Sequence, residues 1–246
     1  MIELNRIYNE DCFEGMKRIP DGSVDLIVTD PPYASTCLEW DKPIDIPAMF
    51  KEFLRVCKGN AAIVIFSQLP FAVDLINSQR KLFRYEWIWE KQLGVGFYHA
   101  NQMPLRAHEN ILIFYRHLPT YNPQFTKGSS YTRKVNGECI NYIPRERIPT
   151  ISDGNRYPRD VVKFNRQPSN HPTAKPLELV KYLIKTYSNE DEIVLDAFAG
   201  SGTTAVACLE TNRKYICFEK ESRYCEVAAD RIRKYYEKPQ QTQLAI

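Results

Sequence analysis

The sequence predicts an α/β fold, a mostly parallel sheet with helices packed on both faces. Short apolar runs rich in β-branched residues recur along the 246 residues, each bounded by turn residues. Helix-length segments with periodic apolar positions separate many of these runs, the alternation that builds parallel strands joined by crossover helices. A chain of this length suits one sizeable domain carrying an insertion better than two independent cores.

Taken in order, residues 4–8, 24–29, 62–66, 86–89, 111–115, 193–195 and 215–218 read as strands. Residues 48–57, 69–78, 177–187, 203–210 and 223–236 read as helices. Segment 116–170 breaks the rhythm, being rich in Pro, Tyr, Asn, Arg and Thr with little periodicity. A stretch of that length without regular structure is usually functional or disordered. The expected organisation is a first half over 1–93, late strands plus insertion over 94–170, a second half over 171–238 and a frayed tail over 239–246.

Composition narrows the function. No apolar run reaches the roughly 18 residues that span a bilayer, and the first residues lack a basic stretch followed by an apolar one. Seven cysteines form no Cys-x-x-Cys pair, which argues for reduced thiols in a cytoplasm and against a metal site or disulfide framework. The net charge of +3 decides little, but residues 94–165 hold ten Lys or Arg against five Asp or Glu. A basic middle in a mildly acidic body suits approach to a polyanion.

Residues 193–204, Ile-Val-Leu-Asp-Ala-Phe-Ala-Gly-Ser-Gly-Thr-Thr, form a strand, a glycine turn and a helix start. Glycines permit the sharp bend and close approach of a ligand, and the helix start offers free N–H groups. The next strand ends at Glu219, 17 residues past Gly202, where an acid can accept hydrogen bonds from both ribose hydroxyls. A dinucleotide site wants a third glycine, which is missing, and Asp196 before the turn would repel a diphosphate. S-adenosylmethionine carries a sulfonium and an ammonium and no phosphate, so a carboxylate suits it.

The strand over 24–29 ends at Asp30-Pro31-Pro32-Tyr33. Two prolines hold a rigid extended corner at a carboxyl end, where open α/β sheets bind ligands. There the Asp30 carboxylate and Pro31 carbonyl can each accept from an NH2 group, aiming its lone pair at an electrophilic methyl. Tyr33 offers a face on which a base turned out of a duplex could stack.

These two motifs together resemble the bacterial and phage DNA amino-methyltransferases, and the corner-first order resembles their permuted β-group. The resemblance implies a circularly permuted, Rossmann-like, seven-stranded class I methyltransferase sheet with one antiparallel strand near the edge. Residues 87–91 and 106–114 would be its last two strands. It implies methyl transfer from S-adenosylmethionine to adenine N6 in double-stranded DNA, with cytosine N4 as the alternative. Catalysis falls on Asp30, Pro31, Pro32 and Tyr33. The cofactor falls on Asp11, Cys12, Thr173, Lys175, Asp196, Phe198, Gly200, Ser201, Gly202, Thr203 and Glu219, with Asp11 at the adenine amine. Thr173 and Lys175, within His171-Pro172-Thr173-Ala174-Lys175-Pro176, would face the methionine portion. Target recognition coincides with the basic stretch, where Arg133, Lys134, Arg145, Arg147, Arg156 and Arg159 are candidate DNA contacts and Tyr121, Tyr131 and Tyr142 candidate supports for a flipped base. A homodimer and a cognate restriction enzyme are the further partners implied.

Three other functions fit less well. Cytosine C5 methylation needs a nucleophilic cysteine, typically after proline, and no Pro-Cys dipeptide occurs. A dinucleotide-dependent oxidoreductase conflicts with the turn, and a non-catalytic DNA-binding module has no use for the pair of motifs.

Overall fold

The computed structural model describes residues 2–34, 41–133, 150–166 and 174–237. Contacts divide the chain into one compact unit of residues 1–122 with 160–246 and a second of residues 123–159.

The first unit opens with β1 (Arg6–Asn9), a short helix α1 (Cys12–Met16) and β2 (Val24–Thr29). Strand β1 starts two residues later than the apolar pattern suggests. Asn5 takes a left-handed turn at φ 59°, and its N–H is given to Tyr215 O. Asp11, whose Oδ1 accepts from Phe13 N at 2.9 Å, caps α1, a five-residue helix too short to register as a periodicity. Next come α2 (Ile46–Val56), β3 (Cys57–Ser67), α3 (Phe71–Ser78), β4 (Phe83–Val95) and β5 (Arg106–Phe114). Asp45 caps α2 through Ala48 N, and β3 follows with no loop, so Cys57 is a strand residue and not the helix end expected.

The second unit contains β6 (Thr126–Lys127), β7 (Tyr131–Arg133), β8 (Thr150–Ser152) and β9 (Asn155–Arg156). Here β6 pairs with β9 and β7 with β8, both antiparallel. Gly154, at φ +95°, has no room for a side chain, since a Cβ would lie 2.5 Å from Gly128 O.

The chain then returns to the first unit with β10 (Val161–Lys163), α4 (Leu177–Tyr187), β11 (Ile193–Asp196), α5 (Thr203–Glu210), β12 (Lys214–Glu219) and α6 (Ser222–Glu237). The main sheet runs β1-β12-β11-β2-β3-β5-β4-β10, with β5 antiparallel to both neighbours and all other pairings parallel. It has eight strands, not the seven expected. The extra one, β10, has only three residues inside a stretch without pattern, and its pairing with Ile88–Glu90 of β4 is tertiary.

Strand alternation sends successive side chains to opposite faces. Ile27, Ile63, Ile65, Leu195 and Phe218 pack on one side with α2 and α3 residues such as Phe50, Phe53 and Leu75. Leu26, Val28, Val64, Phe66 and Val194 pack on the other with Leu179, Leu183 and Ala205 of α4 and α5. Both faces are therefore covered, and the parallel strands deliver their carboxyl ends, including Asn9, Asp30, Asp196 and Glu219, to one rim. No helix among the described residues is long and apolar enough to cross a membrane.

Candidate active site

Strands β11 and β2 are parallel neighbours, Val194 opposite Leu26 and Leu195 opposite Ile27, so the glycine turn and the proline corner emerge side by side. Thr29 Oγ1 donates to Asp196 Oδ1 at 2.8 Å and ties the two strand ends together. Between them opens a cavity of about 370 Å3 whose lining includes Asp11, Asp30, Lys175, Asp196, Gly200 and Glu219. That volume is in the range of small-molecule sites.

In the glycine turn, Gly200 N donates to Glu219 Oε2 at 2.7 Å, while Oε1 of the same carboxylate accepts from Glu221 N at 2.8 Å. Burial raises the Glu219 carboxyl, and the backbone N–H donors partly offset this. Asp196 is 4% exposed and accepts from Thr29, from Phe198 N at 3.1 Å and from Thr204 Oγ1 at 2.6 Å. Desolvation pushes it up to about 6 although these hydrogen bonds favour the anion. Ser201 and Thr203 line the cavity, but Arg231 of α6 braces them. Its Nη1 donates to Ser201 O at 2.7 Å, Ser201 Oγ at 2.9 Å and Thr203 Oγ1 at 3.0 Å. Gly202 does not line the cavity. At φ +73° it packs on α6 and β1, where a Cβ would lie 2.7 Å from Ala228 Cβ and 3.1 Å from Ile7 Cδ1. Its conformation thus serves packing beside the cavity that its neighbours Gly200, Ser201 and Thr203 line. Asp11, Cys12 and Phe198 line the cavity, and burial pushes the Cys12 thiol up to about 12, leaving it inert. Thr173 lies outside the described residues.

In the proline corner, Asp30 and Pro32 line the cavity, while Pro31 is buried and not part of the lining. Tyr33 is half-buried and also absent from the lining. Its ring packs on Phe71 at 5.4 Å, and its hydroxyl donates to Asp30 Oδ1 at 2.6 Å. The open stacking face expected of Tyr33 is thus turned onto the core here, and its hydroxyl braces the carboxylate. Lys175 Nζ lies 2.6 Å from Asp30 Oδ2 and 3.1 Å from Glu109 Oε2. The ammonium expected to face an amino-acid tail lines the cavity and is engaged by two carboxylates. Burial raises the Asp30 carboxyl, and Lys175 offsets this only in part. Burial likewise raises the Tyr33 hydroxyl, with Asp30 adding to the rise.

Of the candidate DNA contacts, Lys134, Arg145 and Arg147 lie outside the described residues, as do Tyr142 and the side chain of Arg133. Arg156 is engaged within its own unit: its guanidinium donates to Ser129 O and Ser152 Oγ and sits 4.8 Å from the Tyr131 ring centre. It serves as a loop tie. Arg159 is exposed. Tyr121 packs at 6.2 Å from Tyr187.

Comparison with known proteins decides what such a site belongs to, since a family model described as DNA methylase (N6_N4_Mtase) matches residues 24–230. The chain belongs to the DNA methylase family. It is 30% identical to the DNA adenine methyltransferase YhdJ of Escherichia coli K12, over 94% of this chain and 83% of that protein. It is 28% identical to the type II methyltransferase M.HpaI of Haemophilus parainfluenzae, over 92% of this chain and 74% of that one. Two solved structures share the fold. The M1.HpyAVI–SAM complex has a TM-score of 0.63 at 24% identity, covering 92% of this chain and 98% of that one. The cytosine-N4-specific PvuII DNA methyltransferase has a TM-score of 0.67 at 17% identity, with 92% and 85% covered.

The methyl donor of this DNA methylase is S-adenosylmethionine, and the residues present fit it. The cavity is lined by acids, Asp11, Asp196 and Glu219, suited to an adenosine and a cationic sulfonium, and the absent third glycine leaves no cradle for a pyrophosphate. Sequence reasoning did not find Glu109, Lys91 or Arg231. For Lys91 a signal exists. Trp87, Trp89 and Lys91 alternate inward on β4, and a lysine in that register is out of character.

Proposed function

We propose that this methylase transfers a methyl group to adenine N6 in duplex DNA, with the target base turned out of the helix into the cavity beside Asp30. The observation that carries this reading is that Asp30 and the glycine turn line one cavity on neighbouring parallel strands. S-adenosylmethionine, when bound, supplies the methyl electrophile.

The chain's own residues do the rest. Each carboxylate oxygen has a second acceptor site, so Asp30 can take an amine N–H while Tyr33 and Lys175 hold its two oxygens. A second N–H goes to the Pro31 carbonyl. With both hydrogens engaged, the amine lone pair is drawn out of the ring plane toward the methyl, and orientation supplies much of the acceleration. Glu219 is the acceptor for the ribose and Asp11 for the cofactor's adenine amine. Asp196 fixes the turn through Thr204 and Phe198 N and supplies negative charge near the sulfonium. The corner precedes the turn along the chain, which we read as the permuted order.

Enzymatic digestion of treated DNA with mass detection of nucleosides tests the assignment. N6-methyladenine is the expected product, and N4-methylcytosine in its place would assign the alternative base. Unit 123–159 carries seven of the ten Lys and Arg of the basic stretch, so affinity for duplex DNA should fall steeply as salt rises through counterion release. A flat response would remove that unit from the interface. A homodimer and a cognate restriction enzyme are the further partners that the resemblance implies. Light scattering checks the first, and restriction of unmethylated phage DNA in the source cells checks the second.

A further inference from the structure

Glu109 of β5 and Lys91 of β4 take no part in the chemistry above, yet both are nearly buried, their side chains 9% and 7% exposed. Lys91 Nζ lies 2.6 Å from Glu109 Oε1, and Glu109 Oε2 lies 3.1 Å from Lys175 Nζ, which in turn meets Asp30 Oδ2 at 2.6 Å. Alternation puts Asp30 in line with Val28, Glu109 with Ile111 and Lys91 with Trp89, all on the α4 side of the sheet. Lys175 bridges them across Phe66, its Nζ 5.2 Å from that ring centre.

Four charges of alternating sign, Lys91 and Glu109 buried and Lys175 and Asp30 partly so, thus run along the rim from β4 to the catalytic carboxylate. Burying paired charges gains little over apolar packing of the same volume, so the row is a costly way to hold four strands together. It is also incomplete on its own terms. Among the described residues, Glu109 Oε2 has no well-directed hydrogen bond, and Ser67 Oγ, fully buried one residue beyond Phe66, has no partner.

Building on the methyl-transfer reading, we propose that Glu109, backed by Lys91, is a positioning residue for amine methylation: it holds the Lys175 ammonium against the Asp30 carboxylate from behind. The groups facing this row are Tyr33 and Asp196 near Asp30, and Asp41 near Tyr33. Burial alone would raise Glu109 and lower Lys175. Opposite charges reverse both: Lys175 and Lys91 hold Glu109 below its ordinary value, and Asp30 and then Glu109 hold Lys175 above. Glu109 also adds to the rise at Asp30.

The sign of each effect makes the proposal testable. In Glu109→Gln, Asp30 loses a repelling anion and Lys175 loses a supporting one, so both titrate at lower pH. The acid and alkaline limbs of kcat against pH should both move down. At neutral pH kcat should fall roughly 10- to 100-fold, as expected for a misplaced reacting group, with the S-adenosylmethionine dissociation constant little changed. A tritium-transfer assay on genomic DNA from a methylation-free host reads the rates, and calorimetry reads the cofactor. If Glu109→Gln fails to fold, the double variant Lys91→Met/Glu109→Gln removes one charge of each sign and should show the same downward move of the alkaline limb. A loss of kcat equal at every pH, or unmoved limbs, overturns the positioning role while wild-type transfer stands. No transfer by the wild type overturns the methylation reading itself.

Discussion

The two halves of the site hold their charges in opposite ways. At the glycine turn, Asp196 is met by two threonine hydroxyls and a backbone N–H, and Arg231 by a serine, a threonine and a carbonyl. At the proline corner, Asp30 is met by Lys175, Lys175 by Glu109 and Glu109 by Lys91. Neutral partners fix a group locally and confine any change to it. Charged partners transmit, because removing one leaves the next buried and unpaired. The turn is therefore built as a rigid seat and the corner as a tunable one.

The sharpest way to break this contrast is Asp30→Ala. Turnover should fall about 1,000-fold or more, the scale for losing a group aimed at the reacting centre, with cofactor affinity nearly intact because the hydrogen bonds that hold the turn do not end on Asp30. Kinetics and calorimetry on the same preparation check it. A large loss of cofactor affinity would mean that the halves are not separable.

Asp196→Asn probes the neutral-partner half through stability. The folded-state value of about 6 lies above the ordinary 3.8. Stability from the protonated form is therefore fully present below about pH 4 and lost as pH rises through about 6, roughly 3 kcal/mol in all. Thermal melting of the unliganded wild type should decline across that window relative to Asp196→Asn, which has no proton to lose.

Lys175→Gln sharpens the charged half. Lys175 is the principal influence holding the Asp30 carboxyl down, so its loss should move the acid limb of kcat to higher pH. The accompanying fall at neutral pH should be about 100-fold. The direction is opposite to that expected for Glu109→Gln, and the pair of pH profiles separates a transmitting row from four independent contacts. The smallest effect belongs to Arg231→Ala, which should loosen the turn and weaken S-adenosylmethionine about tenfold while leaving the pH profile in place.

The contrast also explains what could be read early. The proline corner and the glycine turn are local devices: proline restricts its own φ and its predecessor, and a Gly-x-Gly at a strand end bends the chain wherever it occurs. Both were legible, together with the strands and helices that deliver them. What no local pattern shows is the packing at Gly202, whose left-handed φ serves the approach of Ala228, 26 residues away. The same holds for Arg156, since the acceptors that engage it include Ser129 O across the unit.

Sequence by itself determined the α/β class, the two motifs, their order and the family that they resemble, because each rests on steric and hydrogen-bonding rules acting over a few residues. Only the tertiary structure decided that eight strands form the sheet, that Tyr33 turns onto Phe71, and that Lys175 faces Asp30 and Glu109. Those outcomes depend on groups that meet after 38 to 145 residues of intervening chain. At such separations, burial and Coulomb attraction select the partner, and no local pattern records the choice.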